Sequence, residues 1–287
     1  IDDWSGFLMQ DPEVVHLSHV SLRDAYIVFN WSYNEGSNLG DSLRISDSYF
    51  VGTSNDIFFK TFGIALYDSE TIVFENNRFV GFKYFIESPR YSTAWKFYDS
   101  SIFKINDNYF NNVQQVFSID VGDPVKLHSG GGQIYFIDNQ IEYSSEVSVL
   151  FEANPDMEAD LSDTIFVFQG NQISSGSHNS TIIFKGDDNN PAKGRLLFKN
   201  NNLERVGLRV QRIEEALIQE NTIDHYSSSG AAQAVTIDDV DKVLIEKNTL
   251  SSDFKVLSIN GGGDGIDEDT IRYNTISEAT FSQSLGA

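Results

Sequence analysis

Three carboxylates fall at comparable places in successive stretches of the chain: Glu87, Asp120 and Glu152. Stacked about 5 Å apart, they would repel unless a cation lay among them or one kept its proton. Calcium, a hard cation that takes oxygen ligands, fits such a set. So do the paired acids of glycoside hydrolysis. If the register is off by a residue, each acid is simply solvated on its own. A second strip is basic and aromatic: Lys96 falls beside Lys126, with Tyr67, Tyr98 and His128 two positions further on. Lys and Arg can hold a uronate carboxylate, and aromatic rings can stack on sugars. β-Elimination at a uronate needs a neutralised carboxylate, a base for the C5 proton and an acid for the leaving oxygen. Lys126 or His128 would be the base, Tyr98 the acid and Arg90 the neutraliser, with Lys96 and Tyr67 binding substrate. The alternative is a surface ladder whose Lys stems cover apolar side chains and balance nearby carboxylates.

The loop Gly262-Gly263-Asp264-Gly265-Ile266-Asp267 resembles one unit of a glycine-rich calcium repeat, and Asp264, Asp267 and Asp269 would supply its oxygens. Calcium rolls need several such units in tandem, so an ordinary glycine-rich turn is the competing reading. Among the five histidines, His16 and His19 read as cap or edge residues, and His178 and His225 as surface residues of polar loops. No pair has zinc spacing. The glycines at 130–132 and 261–263 are not completed into a phosphate loop by a Lys and a following helix.

Residues this far apart become neighbours only if the backbone circles, and a repeat says that it does. The pattern apolar-x-apolar-x-x-Asn-x-apolar reads Ile72-Val73-Phe74-Glu75-Asn76-Asn77-Arg78-Phe79, and it returns along the chain. Its Asn slot falls at Asn77, Asn108, Asn139, Asn171, Asn201, Asn221, Asn248 and Asn274, at intervals between 20 and 32 residues. Degenerate copies place Ser48 and Val20 in the slot, giving ten units. Each unit opens on a strand of period two, turns at the Asn, and continues into a β-rich run such as Tyr84-Phe85-Ile86 or Thr181 to Phe184. Several long units add a third short run, such as Ile64-Ala65-Leu66 and Trp95-Lys96-Phe97. Three short strands per turn make one coil of a parallel β-helix. The Asn row then forms either a ladder of mutually bonded buried amides or a set of left-handed turn residues.

The composition bounds the rest. With 40% hydrophobic and 13% aromatic residues the 287-residue chain can build a core, so disorder is excluded. A net charge of −22 argues against binding nucleic acid through its phosphates. No apolar run approaches a membrane span. Without cysteine there is no disulfide, thiolate site or Cys nucleophile. The chain opens at Ile1 with no signal peptide or initiator Met, which reads as a processed chain or a piece of a longer one. Residues 1–14 read as a cap or linker, 15–278 as the β-helix and 279–287 as a tail, with an adjoining domain or partner expected at a coil end.

From about Val15 to Ile276 these units resemble the right-handed parallel β-helix superfamily of pectate lyases, whose Asn ladder occupies an equivalent turn. The long variable coils and acidic, Cys-free composition are similar to polysaccharide lyase family 6, the chondroitinase B and alginate lyase group. That resemblance implies an all-β, right-handed solenoid of about ten coils, secreted or at the cell surface, acting on an acidic polysaccharide with calcium nearby. In the family a Lys base and an Arg stand on neighbouring coils beside calcium held by Asn and Glu, and a second β-helix can follow the catalytic one. The family's linear motif is not matched here residue by residue. The resemblance therefore implies either an alginate-lyase-like enzyme or its accessory domain, and a non-catalytic adhesion or glycan-binding module is the alternative.

Overall fold

The computed structural model describes residues 7–10, 14–23, 27–32, 42–53, 55–61, 65–66, 71–88, 96–97, 102–119, 133–144, 150–152, 165–176, 180–185, 192–226, 233–260 and 268–277. Among them there is no helix, and every paired strand runs parallel to its partner in the neighbouring coil. The protein is a parallel β-helix. Two ten-stranded sheets run its length, so ten coils are stacked. The first face runs from Val14–Ser18 to Glu268–Arg272, and the second from Ser21–Arg23 to Thr275–Ser277. The third face is built from two successive five-stranded sheets. One runs from Phe7–Gln10 to Gln115–Ile119, the other from Leu150–Glu152 to Lys255–Asn260. The stretch read as a cap thus contributes a strand, with Phe7 standing opposite Phe29.

The sequence motif spans a corner. Thr71–Glu75 lies on the first face and Arg78–Val80 on the second, with Asn76 and Asn77 between them. Register holds from coil to coil: Thr71, Ile102, Gln133, Ile165, Arg195, Glu215 and Lys242 stand one above another. Alternate residues point inward. Phe74, Ile105, Phe136, Phe168, Phe198, Ile218 and Ile245 therefore form one buried column. Aromatic rings stack along the interior. Phe50, Phe79 and Phe110 stack at 5.5 and 5.1 Å, and Phe136, Phe168 and Phe198 at 4.8 and 5.1 Å. Each such ring removes enough apolar surface from water to stabilise the fold by roughly 1.5–3 kcal/mol.

The Asn row forms a ladder. Asn108 accepts at Oδ1 from the backbone N–H of Asn77 at 2.9 Å and from its Nδ2 at 3.1 Å, while Asn77 Nδ2 also donates to the Ile45 carbonyl at 2.8 Å. Asn139, Asn171, Asn201 and Asn221 repeat the arrangement. All are buried. From Asn108 to Asn221 each amide thus has both its hydrogens and both its lone pairs engaged, which removes the penalty of burying it. The left-handed residue is the one before the Asn. Asp47, Asn76, Asp107, Asp138, Asn200, Glu220, Lys247 and Tyr273 all have φ between 51° and 58°, and Gly170 has +69°. Asp and Asn tolerate that region best, and they supply five of these corners.

Candidate functional site

On the third face, the C-terminal five-stranded sheet carries a groove of about 490 Å³. Its floor follows from strand alternation. Leu208 and Val210 on one strand, and Val235 and Ile237 on the next, are buried, so Arg209, Thr236 and Ser258 align outward in one column. Gln211, Asp238 and Asn260 form the column beside it. Lys255, opposite Gln233, closes one side.

Asp238 is the organising group. Its Oδ2 takes Arg209 at 3.3 Å and Gln211 Nε2 at 2.7 Å, and its Oδ1 takes Asn260 Nδ2 at 2.6 Å. A carboxylate holding three donors is not a ready base or nucleophile, and its effect is to fix the donors around it. Thr236 Oγ1 donates to Gln233 Oε1 at 2.7 Å, so the Gln233 amide presents its NH₂ end. The Lys255 ammonium lies 5.6 Å from the centre of the Phe254 ring and pairs with no carboxylate among the described residues. The groove therefore offers an ammonium, part of a guanidinium, amide NH₂ groups and the Ser258 hydroxyl, against one saturated carboxylate. It is rich in donors on a chain of net charge −22. Such a surface suits an oxygen-rich, negatively charged ligand.

His225 also lines the groove. Expected on the surface, it is buried, 4% exposed, on the strand Thr222–His225. Its Nδ1 lies 2.8 Å from the Gln233 carbonyl. A carbonyl only accepts, so Nδ1 carries a proton, and Nε2 has no partner among the described residues. Gly207 makes the contact possible: a Cβ there would stand 2.7 Å from His225 Nδ1 and 2.6 Å from the Gln233 oxygen.

Of the candidate site residues singled out from sequence, Glu87, Lys96, Glu152 and Asp269 lie among the described residues. Glu87 lies opposite Lys60 on one side and Ser118 on the other, so Asp120 cannot be its neighbour in the register. Glu152 lies opposite Lys185 in the other five-stranded sheet. The expected carboxylate column is therefore not formed at Glu87, which has no acidic residue opposite it on either neighbouring strand. Lys96 lies opposite Ala65 in a short two-stranded pairing, which places the third runs side by side as expected. Tyr67, Arg90, Tyr98, Asp120, Lys126, His128, Asp264 and Asp267 lie outside the described residues. Asp269 stands exposed on the last strand of the first face, opposite Val243. Among the described residues no group of three or more acidic, His or Cys side chains could hold a metal ion, and no helix is long and apolar enough to cross a membrane.

The groove residues Arg209, Asp238, Lys255 and Asn260 were not singled out from sequence. A signal was present: Leu-Arg-Val-Gln, Val-Thr-Ile-Asp and Leu-Ser-Ile-Asn share one apolar–polar phase at 208–211, 235–238 and 257–260. No family model matches the chain, and neither the curated proteins nor the solved structures compared with it include a match.

Proposed function

We propose that the protein is an extracellular β-helix that binds acidic polysaccharide, with a short uronate-bearing stretch lying in the third-face groove. The observation that carries this reading is the donor-rich lining around a carboxylate that is already saturated. Lys255 meets the sugar carboxylate. Arg209, Gln233, Ser258 and Asn260 bond ring and hydroxyl oxygens. The four third-face strands that contribute side chains to the groove span roughly 14 Å along the axis at the usual interstrand spacing. That length suits a short oligosaccharide lying along the solenoid. Binding is local: the surplus of acid elsewhere repels a polyanion, so affinity depends on the groove's own cations rather than on the whole-molecule field.

On this reading the chain is the glycan-holding module of alginate-lyase-like chemistry. A second reading makes it the enzyme, with the Lys96 strip as its seat, and the paired short strands Ala65–Leu66 and Lys96–Phe97 favour it. Calcium enters as a proposed bridge between the acidic chain and the acidic protein.

One experiment separates the two. Alginate, pectate and chondroitin sulfate are titrated against the chain by calorimetry, with and without Ca²⁺, while absorbance of the unsaturated uronate product is followed. Binding without product, weakened about tenfold or more in Lys255→Ala, supports the groove. Product that survives Lys255→Ala and is lost in Lys96→Ala moves the function to the other strip. No binding of any of the three refutes both.

A further inference from the structure

The first face differs from the other two in what it turns outward. In its middle outward column Val167, Leu197, Leu217 and Leu244 follow one another, one per coil. Each lies between two core residues, as Leu197 does between Leu196 and Phe198, so these apolar side chains stand on the solvent side. All four are only half-buried. Over the same coils the other faces turn out polar columns: Asn202, Thr222 and Thr249 on the second, and Arg209, Thr236 and Ser258 on the third. A row of aliphatic side chains gives a sugar neither a donor nor a ring, and it gains by leaving water against another apolar surface. Charge flanks the row. On one side Arg195, Glu215 and Lys242 follow in order, with Arg195 at 3.5 Å from Glu215. On the other, Lys199, Gln219, Glu246 and Arg272 follow, with Arg272 at 2.7 Å from Glu246. Both signs thus alternate here, on a chain whose net charge of −22 opposes self-contact through a surface of one sign.

We infer that this row packs against the same row of a second copy of the chain, with the two coil axes antiparallel. The two-fold axis runs along the strands, midway between Leu197 and Leu217. Leu197 then meets the partner's Leu217, Val167 the partner's Leu244 and Arg195 the partner's Glu215, each contact occurring twice. Gln169 meets the partner's Glu246 and Lys199 the partner's Gln219, so no like charges are opposed. Other placements spoil the match. An axis through Leu217 sets Arg195 against Lys242, and one through Leu197 sets Arg195 against itself. One coil later, Lys199 faces Arg272, and one coil earlier, Lys104 faces Leu244. With parallel coil axes, Arg195 faces Lys199. The strands from Gln133–Ile137 to Glu268–Arg272 overlap, over roughly 29 Å by 16 Å. On the order of 1,000 Å² is buried on both copies together, the low end for a specific contact, so the dimer is weak. The inference does not rest on the glycan reading, whose groove lies on the third face.

The test is sedimentation velocity of the whole chain, without glycan, from micromolar to near-millimolar concentration, with circular dichroism of each variant to verify its fold. A monomer–dimer equilibrium is expected. Leu217→Glu weakens it about tenfold or more, because an unpaired carboxylate enters the contact. Glu215→Arg weakens it too, and adding Arg195→Glu restores it. The chain has no cysteine, so single replacements report the register. A mixture of Leu197→Cys and Leu217→Cys chains cross-links faster than either alone, and Thr249→Cys on the second face does not cross-link. Three results overturn the inference: a monomer at every concentration, a dimer that Leu217→Glu leaves intact, or cross-linking no faster in the mixture. A monomer whose Leu197→Cys thiol resists modification means that the chain's own residues cover the row.

Discussion

Replacing Asn171 by alanine tests whether the ladder is a stabilising network or a passive consequence of the corner. Asn171 is fully buried. Its Oδ1 accepts from Asn139 N–H at 2.9 Å and from Asn139 Nδ2 at 3.1 Å. Its Nδ2 donates to the Phe136 carbonyl at 2.8 Å and to Asn201 Oδ1 at 3.0 Å. Alanine deletes all four bonds. Two donors on Asn139 are left buried and unpaired, and the Phe136 carbonyl and Asn201 Oδ1 each lose a partner. At about 1–3 kcal/mol for each orphaned buried donor, and less for each under-satisfied acceptor, the substitution costs on the order of 3–6 kcal/mol. The same change at Asn274 removes acceptance from Asn248 and one donation, at a half-exposed coil where water can replace them. It costs about 1–2 kcal/mol. A solenoid need not unfold in one step, so a melting midpoint alone is a poor measure. Native-state amide exchange around coils 139–201 reads the local opening free energy directly. Asn171→Ala should lower it by several kcal/mol there, while Asn274→Ala should act only on the last coil. If the two substitutions cost the same, or Asn171→Ala costs under about 1 kcal/mol, the ladder does not hold the coils together.

Three further outcomes follow from single sites. Gly170→Ala should destabilise by about 2 kcal/mol or more: the site has φ +69°, and a Cβ would stand 1.9 Å from Asp138 Oδ1. Adding Asp138→Ser should recover part of this loss in a denaturation series. Asp107 has its carboxyl held above the ordinary value of 3.8 by burial, then by Asp138 and Glu75. A raised carboxyl means that the fold binds the proton more readily than the unfolded chain does, so its ionised form costs stability above that range and the cost fades as pH falls through it. Asp107→Asn, which tolerates the left-handed corner, should therefore raise the midpoint slightly at pH 7 and lose that advantage in acid. Phe79→Ala should cost about 3–5 kcal/mol in the same assay, because the fully buried ring is stacked between Phe50 and Phe110.

The architecture was legible because one corner repeats. The eight asparagines from Asn77 to Asn274 and their apolar flanks define a structure in which neighbours are one coil apart, and the structure stacks them as the spacing requires. The sequence leaves two roles open for the Asn slot, and the structure separates them: the amide builds the ladder, and the preceding residue takes the left-handed conformation. What spacing does not carry is the register beyond that corner. Spacing aligns Glu87 with Asp120, yet the backbone sets Glu87 against Ser118. His225 looked like a loop residue because Asp224 and Tyr226 flank it. Its burial depends on Gly207, 18 residues earlier in the chain and one coil below, which no local pattern displays. The groove was missed for a related reason: its members are ordinary outward polar residues until neighbouring strands align them.

The directional ladder also bears on how such a molecule changes in length. Take out or double a whole turn between Asn108 and Asn221, and each remaining amide there still meets another above and below. Growth or shrinkage by complete turns therefore needs no new contact to be invented, whereas a gain or loss of part of a turn would put the amides out of line.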